Sequence, residues 1–329
     1  MSEVFFFQRG DTIRTFVVFA LFCTGLILII RGGDRFVAAA SRIAEISGVP
    51  PFVIGATVVS VATTLPELLV SVTAASRGQP DMAAGNAVGS VTANTSLILG
   101  LSLLIAPAAA SRGYLRKSLF LFSAIILLWA FSIRGELTVF GALPMLALFC
   151  LYSYLTLRET KARRPAPAPA PDGKGEGFRT ALAFLLGAAA ITAGSRLLVD
   201  NGTLIARDVL HVDERLISLT LVAVGTSLPE LVTAISAVSK GLSSLTVGNI
   251  LGANIIDTLL ILPVCSLVCG GRLPVGAGTL LTDLPVCLLA ALITLVPALI
   301  RGRFYRSQGA AAILLYILYI IKISFSIVF

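Results

Sequence analysis

The sequence predicts an all-α integral membrane protein whose ten transmembrane helices form two five-helix repeats of inverted topology. Three observations lead there. Of the 329 residues, 57% are hydrophobic and only 13% charged, with a mean hydropathy of +0.96, far from the balance of soluble domains. Apolar stretches of about 20 residues, the length a bilayer requires, recur along the whole chain. Residues 49–100 align without a gap on residues 212–263 at a constant offset of 163, with 20 of the 52 pairs identical. Five spans separate the copies, and an odd number inserts them with opposite orientation, as in secondary transporters built from inverted repeats.

Taken in order, the apolar stretches fall at 14–40, 50–76, 80–107, 117–133, 136–157, 179–207, 214–239, 243–269, 279–300 and 307–328. Met1 to Gln8 has no basic start and no small-residue cleavage site after it, so the first stretch reads as a retained span and not a signal peptide. Residues 159–177 (ETKARRPAPAPAPDGKGEG) are the one long water-loving segment, and the Pro-Ala repeat favours an extended rod. The expected organisation is an N-terminal repeat, 1–158, a cytoplasmic linker, 159–177, and a C-terminal repeat, 178–329. Placing the linker inside puts 16 of the 25 Lys and Arg residues on that side, which orients both termini outward. That asymmetry accounts for the net charge of +8 without nucleic acid. His211 is the lone histidine, and Cys23, Cys150, Cys265, Cys269 and Cys287 lie in or beside apolar spans, so neither a zinc site nor disulfides are expected.

Chemistry concentrates in the repeated segments. Thr63-Thr64-Leu65-Pro66-Glu67 in the second span matches Thr226-Ser227-Leu228-Pro229-Glu230 in the seventh. Arg77 and Lys240 each follow their glutamate by ten residues, which places the acids about 15 Å below the interface. An ionised carboxylate there costs about 2.5–3.5 kcal/mol on insertion scales and is functional by default. Pro66 and Pro229 remove a helical donor and crowd the carbonyls of Ala62 and Gly225, so broken helices with free carbonyls are expected beside the acids. Such oxygens suit hard cations such as Ca²⁺ and Na⁺.

The third and eighth spans carry Gly85-Asn86-Ala87-Val88-Gly89-Ser90 and Gly248-Asn249-Ile250-Leu251-Gly252-Ala253. Their glycines permit close helix approach. At a spacing of four, Asn86, Ser90 and Asn94 share one helical face, as do Asn249, Ala253 and Asp257. Asp257 is a third mid-membrane acid, matched in the other repeat by neutral Asn94, and like-charge repulsion makes it the one expected to carry a proton. Arg196 and Asp200, four apart in the sixth span, are able to pair on one face.

In the doubled T-[ST]-L-P-E followed by G-N-x-x-G-[SA], the sequence closely resembles the cation/calcium antiporter superfamily, and within it the prokaryotic sodium/calcium exchangers of ten helices. The motifs cover about a third of the chain and the 5+5 layout nearly all of it. The resemblance implies no resident cofactor, transported Ca²⁺ and Na⁺ as partners besides the lipid bilayer, sufficiency of a monomer, and residence in a bacterial or archaeal inner membrane. It further implies a rigid core of the second, third, seventh and eighth helices past which the first and sixth slide. By that likeness Glu67 and Glu230, with the carbonyls of Thr63 and Thr226, bind Ca²⁺. Sodium uses the same acids with the hydroxyls of Thr64, Ser227 and Ser90 and the carbonyls of Ser60 and Ala223, while Asn94 and Asp257 complete the centre. Three departures stand out: Ala253 replaces a usual serine that serves a sodium position, Val91 stands opposite Asn254, and Thr64 replaces a serine. A Ca²⁺/H⁺ antiporter is the nearest alternative. A cation channel does not need inverted repeats that rock between states, and an intramembrane hydrolase lacks a nucleophile beside a base or a metal-binding histidine set.

Overall fold

The computed structural model describes residues 9–110, 113–162, 175–205, 208, 225 and 227–328. Its helices are α1 (Arg9–Ser47), α2 (Pro51–Ser76), α3 (Pro80–Ile105), α4 (Tyr114–Ser132), α5 (Val139–Ala162), α6 (Glu176–Leu204), α7 (Leu228–Ser239), α8 (Ser243–Val268), α9 (Thr279–Arg301) and α10 (Arg306–Val328). Among the described residues nine of these are long and apolar enough to cross a membrane. The tenth expected span, 214–239, is represented by α7 and otherwise lies outside the described residues, as does most of the linker.

Burial sorts the helices into layers. In α8 and α3, 83% and 72% of the apolar window is buried, against 22% in α1 and 28% in α6; the first pair is core and the second is periphery. Glycine sets the closest approach inside that core. A Cβ on Gly248 would stand 2.1 Å from the Phe52 carbonyl oxygen, and one on Gly252 would stand 2.5 Å from Ser60 Oγ and 2.8 Å from Ala56 Cα. Only hydrogen fits there, so the backbone of α8 rests directly on α2.

Outside the core, α1 and α6 are zipped together by the same device. A Cβ on Gly25 would lie 2.8 Å from the Gly194 carbonyl oxygen, and one on Gly187 would lie 2.9 Å from the Phe36 backbone. Hydropathy ends the first span at residue 40, yet α1 runs on to Ser47. Within the extension Arg42 is held by Glu176 of α6, its Nε donating to Glu176 Oε1 at 2.8 Å. Asp34, still inside the apolar stretch, is held by Ser236 and Lys240, its Oδ1 accepting from Lys240 Nζ at 2.7 Å and from Ser236 Oγ at 2.9 Å.

The repeat survives in the backbone. A single π-helical turn opens at Asn94 in α3 and at Asp257 in α8, positions that are partners at the offset of 163. Loops of one half are also tied to loops of the other at both ends of the bundle. Strands β1 (Glu136–Thr138) and β2 (Arg272–Pro274) pair antiparallel with Leu137 opposite Leu273, and Ala109 bridges Arg303 at the other end.

One expectation about the prolines changes. Helix α2 continues unbroken across Pro66, with its irregular π turn earlier at Gly55–Val59. In the second copy, Ser227 forms a turn between helical Gly225 and helical Leu228. Pro229 therefore occupies the first turn of α7, where a missing N–H costs nothing. The same pentapeptide is a mid-helix segment in one half and a helix start in the other.

Candidate cation-binding site

Four helices bring the expected residues together. Helix α2 contributes Ser60, Thr63, Thr64 and Glu67; α3 contributes Ser90 and Asn94; α7 and the turn before it contribute Glu230 and Ser227; α8 contributes Asp257. All of these side chains are buried, with Glu67 and Glu230 each 1% exposed and Asp257 0%. Ala223 and Thr226 lie outside the described residues.

Ten buried oxygens in this group have no hydrogen-bond partner: Thr64 Oγ1, Ser90 Oγ, Ser227 Oγ, Asn94 Oδ1, and both carboxylate oxygens of Glu67, Glu230 and Asp257. Buried polar atoms are normally satisfied, and leaving a charged one unmade is the costliest case. Every orphan here is an oxygen, which is the donor set of a hard cation. Among the described residues no three His, Cys, Asp or Glu side chains gather as a ready-made metal cluster, so the hydroxyls and the Asn94 amide are needed to complete a coordination shell. Glu67 lies within Coulombic reach of Glu230 and Asp257, and Thr63 places its hydroxyl beside the Glu230 carboxylate. None of the ion pairs among the described residues involves these three acids.

Neighbouring amides hold the oxygens in place. Asn86 Nδ2 donates to Ser71 Oγ at 2.9 Å and to the Glu67 carbonyl at 3.4 Å, bracing α3 against α2. Its repeat partner Asn249 accepts from Thr63 Oγ1 at 3.3 Å and donates to Thr233 Oγ1 at 3.4 Å, bridging α2 and α7. These two asparagines, placed by helical spacing on the same faces as Asn94 and Asp257, are thus committed to protein partners. Ser60 likewise spends its hydroxyl on the Thr57 carbonyl at 3.0 Å, consistent with an expected role through its carbonyl alone.

In the sequence Asn254 figures only as the residue opposite Val91, with no role of its own. Asn94 Nδ2 donates to Asn254 Oδ1 at 3.2 Å, and Asn254 Nδ2 donates to Thr95 Oγ1 at 2.7 Å. With its nitrogen so engaged, Asn94 keeps its oxygen buried and without a protein partner. The available signal was the break in symmetry itself, since a polar residue stands where the other repeat has Val91. Of the π turns among the described residues, those of α3 and α8 begin at the polar residues of the centre, Asn94 and Asp257, and such single-turn bulges recur at functional positions.

Comparison with known proteins decides the family. Residues 17–158 and 179–325 match the family described as sodium/calcium exchanger protein. The chain belongs to the sodium/calcium exchanger family. It is 31% identical to the sodium/calcium exchanger MaX1 of Methanosarcina acetivorans, across 93% of this chain and 98% of that one. It is also 36% identical to the inner membrane protein YrbG of Escherichia coli, across 77% of this chain and 81% of that protein. Among solved structures, the sodium-calcium exchanger NCX_Mj soaked with 2.5 mM Na⁺ and 10 mM Sr²⁺ superimposes with a TM-score of 0.81 at 31% identity, covering 93% of this chain and 98% of that one. This exchanger is therefore a multi-pass membrane antiporter of the cation/calcium class and not an enzyme, and its substrates are ions.

Proposed function

We propose that the protein exchanges Ca²⁺ for Na⁺ by alternating access through one site made by the two repeats. Glu67 and Glu230, with the Thr63 and Thr226 carbonyls, hold Ca²⁺. Sodium ions take the same acids together with Thr64, Ser227, Ser90 and the carbonyls of Ser60 and Ala223, and Asn94 and Asp257 finish the centre. The observation that carries this reading is the set of ten buried, unpartnered oxygens. Such a set is costly on its own and becomes favourable when a dehydrated cation supplies the missing partner. Because Ca²⁺ and Na⁺ draw on shared oxygens, occupancy by one excludes the other, and that exclusion is what couples their fluxes.

The close glycine packing of α1 on α6 and their low burial support their movement as one unit across the core of α2, α3, α7 and α8. The three-part organisation proposed from the sequence stands on the duplication, with residues 1–158 and 178–329 as repeats and 159–177 as a cytoplasmic linker. The basic-residue asymmetry supports termini on the opposite side, and a site drawn wholly from one chain supports function as a monomer.

Calcium uptake into everted vesicles tests the coupling ion. An imposed Na⁺ gradient is expected to drive uptake that a proton uncoupler leaves unchanged; uptake driven only by a proton gradient refutes sodium coupling. Ala253, fully buried and without a hydroxyl, favours the Ca²⁺/H⁺ reading as the second candidate, since it removes one oxygen from the sodium set.

A further inference from the structure

Arg196 and Asp200 of α6 take no part in the site described above, and neither forms an ion pair among the described residues. Both side chains are exposed, and they line one cavity of about 110 Å³ together with Thr192, Gly225, Pro66 and Pro229. Those two prolines immediately precede Glu67 and Glu230, so the cavity wall is one residue away from each acid. Pro66 lies ten residues before Ser76, the end of α2, or about 15 Å along the helix. Arg196 and Asp200 lie eight and four residues before Leu204, the end of α6, or about 12 and 6 Å along the helix. Without ion-pair partners among the described residues they take water as their partner, because facing lipid at the depth of Arg196 is costly. The opposite flank of α6 is sealed against α1 through Gly187 and Gly194, which leaves the side toward α2 and α7 as the hydrated one.

We infer that this cavity is the access passage on the side of the membrane where α6 ends, opposite the linker, and that Arg196 and Asp200 are specificity-determining residues within it. The assignment rests on the exchange reading above. Asp200 lies one turn nearer to Leu204 than Arg196 does, so an entering cation meets the carboxylate first and the guanidinium second. The carboxylate concentrates cations at the mouth. The guanidinium raises the energy of the ion on its last step, and does so twice as strongly for Ca²⁺ as for Na⁺, because Coulomb energy scales with ionic charge. Fast release of the divalent ion on this face follows.

The test combines flux and labelling. A unit charge about 10 Å away in a water-like dielectric shifts monovalent binding about twofold and divalent binding about fourfold. Arg196→Gln is therefore expected to lower the apparent KM at the α6-end face about fourfold for Ca²⁺ and about twofold for Na⁺, and Asp200→Asn to raise both in the same ratio. The KM values at the linker face are expected to stay as in the wild type. Arg196→Lys, which keeps the charge, is expected to preserve wild-type values and so separates charge from packing. Equal shifts for the two ions, shifts at both faces or no shift overturns the charge role. Independently, in a chain whose five native cysteines are replaced, Thr192→Cys and Asp200→Cys are expected to react with a cationic methanethiosulfonate added on the α6-end side only. Labelling that is absent, or equal from the linker side, overturns the passage. If the unmodified protein fails to exchange Ca²⁺ for Na⁺, the exchange reading falls while the labelling still decides whether the passage exists.

Discussion

Replacing Glu67 by glutamine is expected to destroy transport and, in the absence of ions, to make the protein more stable. Glu67 is 1% exposed, both carboxylate oxygens lack partners, and two further acids stand within Coulombic reach. A buried unsatisfied polar group costs about 1–3 kcal/mol, and more when charged. Glutamine keeps the volume, removes the charge and relieves Glu230 of its repulsion, so a gain of about 1–3 kcal/mol is expected without ions. For a chain of this size that is roughly a 2–5 °C rise in apparent Tm. Calcium reverses the order. At 100 times its Kd, Ca²⁺ stabilises the wild type by about 2.7 kcal/mol, whereas the variant is expected to show no calcium-dependent shift and at least about a 100-fold loss of calcium affinity. Thermal melts in detergent with chelator, then with added Ca²⁺, read both quantities. A Glu67→Gln protein less stable than wild type in chelator, or one still stabilised by Ca²⁺, refutes the reasoning.

Other consequences are sharper still in geometry. Gly248→Ala forces the α2 and α8 backbones apart by about 1 Å from the 2.1 Å contact with the Phe52 carbonyl, an overpacking cost of about 1–3 kcal/mol; lowered Tm together with loss of uptake is expected, and unchanged uptake counts against direct backbone contact. Asn254→Val, which imitates the other repeat, frees the Asn94 amide to turn and is expected to weaken calcium activation about tenfold while leaving expression intact; uptake with wild-type KM refutes the orienting role. Ala253→Ser restores a hydroxyl at a fully buried position and is expected to tighten sodium activation several-fold, with calcium KM little changed; the check is sodium-dependent efflux of isotope-labelled calcium.

The parts of this protein that were legible in sequence are those where bilayer physics leaves few choices. Glu67, Glu230 and Asp257 were conspicuous because acids inside apolar spans are expensive, and the duplication tied them to one another before any contact was known. Glycine spacing announced close approach in both repeats, and the structure has it at Gly248 and Gly252 of α8, whereas a Cβ on Gly85 or Gly89 of α3 would meet nothing within 4 Å. What stayed hidden depends on partners distant in the chain. The continuation of α1 to Ser47 carries Arg42 to Glu176 of α6, a contact that hydropathy does not see. Pro66 and Pro229 share one motif, yet one is carried inside a packed helix and the other begins a helix, a difference imposed by neighbours and not by the pentapeptide. Arg196 and Asp200 read as an ordinary four-residue pair, whereas in the fold they make no ion pair with each other and share a cavity. Asn254 had no counterpart in its repeat to lend it meaning, and only the contact with Asn94 and Thr95 supplies it.

Equilibrium binding of isotope-labelled calcium to the purified protein, titrated with sodium, asks whether acids from both halves serve one ion. Wild type is expected to bind calcium with sodium displacing it competitively, and Glu67→Gln and Glu230→Gln are each expected to abolish the high-affinity binding completely. Half of the wild-type binding remaining in either variant, or calcium binding indifferent to sodium, contradicts a single shared site.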